Sequence, residues 1–340
     1  MNIASKGQGQ RIIQYRFGTP QDVLRVESGV VDRPLNDDEV LIEVARSVIH
    51  PGDLQLIASK YTQPPPPIPQ GRVPGLEAAG IVVDAAPGAL DGTGLSISAR
   101  VAFFAPGAWQ TYAIVPAGSL IAIPDDLSDD IATQVLINTI TARHVLRTAL
   151  QGLSVRPRRI VQTGASSAVG KLITTFALKD GFNPIRLVRS PETAAKLART
   201  LPSGDIIVTA GEGWQDAVRA AAEGDIALVV DGVGGAMVGE LAALLNTKGR
   251  LVSYGLLGDA PADLTLFAVK SLSLIGATIG AWSADTDGEA QAQDMRAAIE
   301  IGRSAPELFA ESRGFELSDL DTAIAAVTAP GKTGDIILKF

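Results

Sequence analysis

The chain contains no cysteine. That one absence excludes disulfides, thiolate zinc sites, iron–sulfur clusters and a cysteine nucleophile. Histidine occurs only at His50 and His144, which is too few for a multi-histidine metal centre. Aromatic residues make up 5 % of the chain, and no basic run occurs. The 29 lysines and arginines against 37 aspartates and glutamates set the formal charge at −8. An acidic chain without a basic patch is a poor match for nucleic acid phosphates, so no nucleic acid partner is expected. The longest uncharged stretch of the last third, residues 271–284, is too short and too broken by glycine to span a bilayer. Residues 1–17 hold no continuous apolar segment of the kind a secretory signal needs, and a cytoplasmic location is the expectation.

What is present is aliphatic and turn-rich. At 340 residues, 46 % apolar and 19 % charged, the chain is globular and long enough for about two domains. The 35 glycines and 20 prolines punctuate short aliphatic runs, which favours a β-rich or α/β protein over a helical bundle. Runs at 40–45, 80–84, 100–105 and 111–115 read as strands. Prolines at 64–67, with Gly71, Pro74 and Gly75, make a long loop of restricted shape. Ser128 is a plausible N-cap for a helical pattern reaching residue 150. Five strand–helix alternations follow, with strands at 159–163, 185–189, 205–209, 226–231 and 249–254. Their near-continuous aliphatic character predicts a parallel sheet covered on both faces. Strands are also expected at 271–276 and 334–340, and helices at 288–303 and 318–327.

The first alternation carries the sharpest motif, Thr163-Gly-Ala-Ser-Ser-Ala-Val-Gly170. Small residues between a strand and a helix let a diphosphate approach the backbone, where the helix start offers N–H groups and a positive dipole end. Gly164, Ala165, Ser166, Ser167, Ala168, Val169 and Gly170 are therefore candidate cofactor-binding residues. The usual fingerprint is G-x-G-x-x-G, and only Gly170 keeps a glycine at its place. A nucleotide triphosphate loop is ruled out, because five residues separate Gly164 from Gly170 and Leu172 follows Lys171. A short-chain dehydrogenase needs Tyr-x-x-x-Lys, yet Tyr15, Tyr61, Tyr112 and Tyr254 are followed four places on by Thr19, Pro65, Pro116 and Gly258. The second strand ends at Arg189 and Ser190, where an NAD site would place an acid. A guanidinium suits a 2′-phosphate, so NADPH is expected over NADH, unless Arg189 is simply a solvated strand end. Asp231, Gly232, Tyr254 and Gly255 end the fourth and fifth strands and complete the cofactor set, with Asp231 equally readable as a helix cap.

With these features in place, the chain resembles the medium-chain dehydrogenase/reductase superfamily. The match is to the zinc-free branch of quinone oxidoreductases and mitochondrial-type 2-enoyl thioester reductases. It rests on Phe17-Gly18, Pro51-Gly-Asp53, Pro74-Gly-Leu-Glu77 with Gly80, Asn138 with Thr141, the 164–170 turn, and Gly331-Lys332 before a last strand. The resemblance implies a Rossmann doubly wound parallel sheet inserted into a β-rich GroES-like catalytic domain. The boundaries would be 1–126 with 304–340, and 127–303. It further implies Tyr61, Asn138 and Thr141 as catalytic residues, Trp282 on the substrate side, and a homodimer through the strand at 271–276. Tyr61 could also be a packed loop residue, and His50 stands where such reductases commonly have asparagine. The implied activity is NADPH-dependent reduction of an activated C=C bond in an enoyl thioester or enone. A quinone reductase is the alternative, and a catalytically silent NADPH-binding protein of crystallin type is the reading from another class.

Overall fold

The computed structural model describes residues 9–29, 33–60, 65–153, 156–255, 257–258, 260–329, 332 and 334–340. The chain divides into two compact units, residues 1–137 with 295–340, and residues 138–294. These divisions fall inside two helices, α4 (Val135–Leu150) and α11 (Gly288–Ser304), rather than at the turns before and after them that the sequence suggests.

The first unit opens with an antiparallel hairpin, β1 (Gln10–Gln14) and β2 (Leu24–Ser28), joined through the short helix α1 (Pro20–Val23). Its main sheet is built on β3 (Glu39–Ile49), whose 11 residues are long enough to serve several partners. Breaks in register at Leu41/Ile42 and Val44/Arg46 bend such a strand. It pairs antiparallel with β4 (Glu77–Ala85) and β6 (Tyr112–Pro116), while β5 (Arg100–Phe104) and β7 (Leu120–Ala122) extend the sheet beyond β4. The helix α2 (Pro51–Ile57) follows β3, with Pro51 at its first position, where a missing N–H costs nothing. The pattern expected as one helix from 128 to 150 is two, α3 (Asp129–Ala132) and α4. Ser128 does cap α3, accepting from the Ile131 N–H. The break follows from side chains that hold the linking residues: Thr133 Oγ1 donates to the Arg46 carbonyl at 2.9 Å and Gln134 to the Asp130 carbonyl at 2.7 Å.

The second unit is a six-stranded parallel sheet. Its strands are β8 (Val161–Gln162), β9 (Ile185–Val188), β10 (Asp205–Val208), β11 (Leu228–Asp231), β12 (Arg250–Ser253) and β13 (Ser273–Gly276), in the order β10-β9-β8-β11-β12-β13. That order is the doubly wound dinucleotide-binding one, with its reversal between β8 and β11. The helices α5 (Ala168–Lys179), α6 (Pro191–Thr200), α7 (Trp214–Ala221) and α8 (Met237–Leu244) fill the crossovers. Adjacent residues of β9 show that both faces are covered, because neighbours on a strand point opposite ways. Leu187 packs in a core with Trp214 of α7 and Leu241 of α8, whereas Val188 packs with Leu197 of α6. After α9 (Thr265–Val269), α10 (Ile279–Asp285) and α11, the chain re-enters the first unit. There β14 (Arg313–Glu316), α12 (Leu320–Thr328) and β15 (Ile336–Lys339) close it, and β15 pairs antiparallel with β3.

Asp294 of α11 is fully buried and gathers its donors from three side chains. Arg147 Nη2 and the Trp282 indole N–H reach Oδ2 at 2.6 and 2.8 Å, and Arg143 Nε reaches Oδ1 at 2.6 Å. Burial alone would raise this carboxyl, but the bonds from Arg147, Arg143 and Trp282 outweigh it and hold it below the usual range. Removing one partner of such a cluster leaves the others uncompensated. Asp294→Ala is expected to lower unfolding free energy by about 3 kcal/mol, read as a shift of the urea midpoint at unchanged slope.

Candidate functional site

The turn after β8 holds its shape because glycine occupies the two positions that need it. Gly164 has φ +59°, and a Cβ on Gly170 would lie 2.1 Å from the Gly164 carbonyl oxygen. Helix and turn meet backbone to backbone, so only glycine fits at 170. Ser167 starts α5 by accepting the Gly170 N–H at 3.0 Å, while its own hydroxyl donates to the Gly164 carbonyl at 2.8 Å. Helix geometry leaves the N–H groups of Ala168 and Val169 outside the helical ladder. Ala165 is buried beneath the turn; Ser166 is half-buried and Ser167 exposed.

Across the reversal point stands Asp231, the last residue of β11, with no exposed surface. Its Oδ1 accepts from Thr163 Oγ1 at 2.7 Å and the Val233 N–H at 3.0 Å. Its Oδ2 accepts from the Gly234 N–H at 2.9 Å and Ser253 Oγ at 3.0 Å. Thr163 Oγ1 accepts in turn from the Gly232 N–H at 2.8 Å. The carboxylate is spent on the loop that follows it. It has no oxygen left for a ribose, and the N-cap of α8 is Ala236 instead. Sequence reasoning found Asp231 but missed Thr163 and Ser253, because their role depends on two strands that only the sheet makes neighbours.

The loop after β12 packs directly on this one. A Cβ on Gly255 would lie 2.2 Å from the Gly232 carbonyl carbon, and one on Gly232 would lie 2.5 Å from the Tyr254 hydroxyl. That hydroxyl is buried and makes no hydrogen bond within 3.5 Å among the described residues. Burial pushes the phenol well above its ordinary pKa, the Asp231 charge adds to this, and nearby Ser167 opposes it. Tyr254 therefore holds its proton, and among the described residues no acceptor stands at hydrogen-bond distance from it. At the end of β9, Arg189 is exposed, with no ion pair or hydrogen bond among the described residues. Ser190 is occupied as the N-cap of α6, accepting the Thr193 N–H at 3.2 Å. A glycine cradle, a helix start, an orphaned hydroxyl and an unpaired guanidinium surround the reversal point. This set fits a phosphorylated dinucleotide.

Of the expected catalytic residues, Tyr61 lies outside the described residues. Asn138 and Thr141 stand one turn apart on α4, 3 % and 7 % exposed. Trp282 is 2 % exposed and its N–H is committed to Asp294. It is a core residue of the second unit and offers no surface to a substrate. Arg72, a basic residue of the first unit, is also engaged: it donates to Gln14 Oε1 and the Leu56 carbonyl and lies 4.9 Å over the Phe17 ring. Lys60 is exposed.

A buried polar cluster in the first unit escaped the sequence reading. His50 Nε2 lies 2.7 Å from Glu77 Oε2, and Glu77 is fully buried. The same carboxylate accepts the Leu136 N–H at 2.6 Å and the Ile137 N–H at 3.2 Å, the first-turn donors of α4. Asp53 Oδ2 accepts the His50 N–H at 2.8 Å, while its Oδ1 is buried without a partner among the described residues. Burial pushes Asp53 up to about 6, against the pull of His50. One sequence signal pointed here: α4 starts after Thr133-Gln134, with no local acid in its first turn, so its cap had to come from elsewhere.

Residues 36–125 match the alcohol dehydrogenase GroES-like domain family. Over its length the chain is 25 % identical to a mitochondrial enoyl-[acyl-carrier-protein] reductase of Xenopus tropicalis, covering 97 % of this chain and 93 % of that protein. Among solved structures it is similar to a Bacillus thuringiensis protein assigned as an NADPH:quinone reductase, with a TM-score of 0.84, 26 % identity, and coverage of 98 % of this chain and 100 % of that one. The Escherichia coli quinone oxidoreductase complexed with NADPH shares the fold at TM-score 0.80 and 19 % identity, over 97 % of this chain and 100 % of that one.

The glycine cradle gives a direct test. Gly170→Ala is expected to abolish detectable dinucleotide binding in a fluorescence titration. Gly118→Ala, at an exposed position without a positive φ where a Cβ meets nothing within 4 Å, is expected to leave binding intact.

Proposed function

We propose that the chain is a member of the medium-chain dehydrogenase/reductase superfamily, in its quinone oxidoreductase and enoyl reductase branch, and an NADPH-dependent reductase of activated C=C bonds. The substrate class is a 2-enoyl thioester or an enone. The observation that carries the cofactor half of this reading is Arg189, an unpaired guanidinium at the end of the second strand where no acid competes for it. The enoyl half rests on the likeness to the mitochondrial enoyl reductases. A second reading, NADPH:quinone oxidoreductase, is supported by the Bacillus thuringiensis neighbour.

When bound, the nicotinamide supplies the hydride to the β-carbon of the substrate. The protein's own tasks are binding, orientation and proton management. The 164–170 turn and the start of α5 would take the diphosphate, Arg189 the 2′-phosphate, and Tyr254 Oη would donate to a cofactor oxygen. Glycines 232 and 255 let the two later loops close under the ribose. Tyr61 Oη would donate to the substrate carbonyl oxygen as negative charge develops there, a task that a protonated phenol performs. Asn138 and Thr141 would orient the nicotinamide and substrate from α4. With no thiolate in the sequence and two histidines, the activation falls to these hydrogen-bond donors.

A homodimer through β13 fits the same reading. This strand is the sheet edge, Leu274 on it is 45 % exposed, and Val269 of the adjoining α9 is 72 % exposed. An unpaired edge flanked by exposed aliphatics is suited to pairing with its own copy. Among the described residues, no helix is long and apolar enough to cross a membrane.

Two measurements test the proposal. Arg189→Ala is expected to raise the Kd for NADPH about tenfold or more, the worth of a charge-assisted bond, while leaving NADH binding unchanged. Equal losses for both cofactors would place the phosphate elsewhere. Tyr61→Phe is expected to lower turnover of crotonyl-CoA by about 10²-fold at unchanged NADPH affinity. Undiminished turnover with crotonyl-CoA would remove Tyr61 from the mechanism, and oxidation of NADPH by a quinone alone would favour the second reading.

A further inference from the structure

The His50–Glu77 pair belongs to neither the cofactor cradle nor the expected catalytic set, yet it is built with care. Glu77 is fully buried on β4, and both of its oxygens are used. Two of its hydrogen bonds go to Leu136 and Ile137, the residues immediately before Asn138 on the same helix. The first turn of α4 thus depends on a carboxylate 59 positions away in sequence. A carboxylate accepts two backbone N–H bonds well only when ionised, because protonation turns one oxygen into a donor. Burial opposes that ionisation. The group that offsets burial is the imidazole of His50, 2.7 Å away and itself only 8 % exposed.

We propose that His50 is the counter-ion that keeps Glu77 ionised, and that Glu77 thereby positions the turn of α4 carrying Asn138 and Thr141. His50 and Glu77 are positioning residues in this scheme and need not touch the substrate. Glu77 faces His50 and the α4 N–H groups. His50 also faces Asp53 of α2 and Asp335 before β15. Asp335 is paired with Lys332 at 3.7 Å, and Arg72 lies near Asp53. Burial disfavours the charged imidazole, but the Glu77 bond and the three carboxylates outweigh it and hold His50 above its ordinary value. Glu77 itself is pushed up by burial, and His50 with the two helix N–H groups pulls it back. Without the imidazolium, burial would prevail, and Glu77 would take up a proton at higher pH than in the native chain.

The activity readout rests on the proposed reductase function; the first readout does not. The chain has two histidines, and His144 has its pKa lowered by burial and by Arg147. An NMR titration therefore resolves two imidazoles on opposite sides of the ordinary value. Glu77→Gln is expected to lower the His50 pKa by about one unit or more, the usual effect of losing an opposite charge at contact distance, and to leave His144 in place. The second variant, His50→Gln, keeps a donor of similar reach but no charge. Its kcat/KM for crotonyl-CoA is expected to stay within about threefold of the native value at pH 8.5. Its acid limb is expected to move up by about one pH unit, with NADPH affinity unchanged. Circular dichroism at pH 8.5 establishes that both variants are folded. A His50 pKa that ignores Glu77→Gln overturns the pairing. A fall in His50→Gln turnover that is equal at every pH makes His50 a proton donor instead, and overturns the positioning role. Failure of the native chain to turn over crotonyl-CoA would count against the reductase reading alone, leaving the NMR result to decide the pair.

Discussion

A carboxylate with no exposed atom must collect its hydrogen-bond donors from the protein, and the bond between Thr163 Oγ1 and Asp231 Oδ1 shows what that demand builds. The 2.7 Å contact ties the end of β8 to the end of β11 at the one point where the strand order reverses. Asp231 then takes two N–H groups of its own loop and the Ser253 hydroxyl from β12. Three strand ends are thereby held together beneath the glycine turn. The same physical demand recurs twice. Asp294 draws Arg143, Arg147 and Trp282 together in the second unit, and Glu77 joins α4 to β4 in the first.

The glycines complete what these carboxylates organise. The loops after β11 and β12 approach so closely that a Cβ at Gly255 would meet the Gly232 backbone at 2.2 Å. Backbone contact of this kind leaves polar groups near the surface of the crevice while excluding side chains that would block it. Tyr254 places a large side chain against these loops, and its hydroxyl lacks a hydrogen-bond partner among the described residues. An orphaned buried donor is costly to stability, and it makes sense where a ligand oxygen completes it.

Much of the fold could be read from patterns of a few residues. The five strand–helix alternations appear where aliphatic runs and helical periods place them, and α5 and α6 begin at the serines that cap them. Boundaries shifted where tertiary bonds intervened. The helix expected over 128–150 breaks at Thr133 because that side chain bonds to β3. Two site assignments also changed in meaning. Trp282, read from resemblance as facing the substrate, is turned into the core by its bond to Asp294, and Asp231, read as a cofactor-binding residue or a helix cap, is engaged by its own loop and by neighbouring strand ends. Both outcomes need partners beyond the local sequence: Trp282 reaches a residue 12 positions away, and Asp231 adds to its own loop partners 22 and 68 positions away.

By itself, the sequence determined what depends on composition and short range: the absence of thiolate chemistry, the parallel α/β half, the position of the small-residue turn, and the lack of an acid where Arg189 stands. Those properties follow from residue type and from spacing within a strand or a turn. Only the tertiary structure decided which polar side chains are free. Among the described residues Arg189 and the Tyr254 hydroxyl have no partner, while Arg72, Ser190, Asp231 and Trp282 are engaged within the protein. It also paired His50 with Glu77 and gave α4 a cap its own first turn lacks. The reason is that hydrogen bonding between buried groups is settled by which strands and helices become neighbours. That is a property of the whole packed chain and of no segment within it.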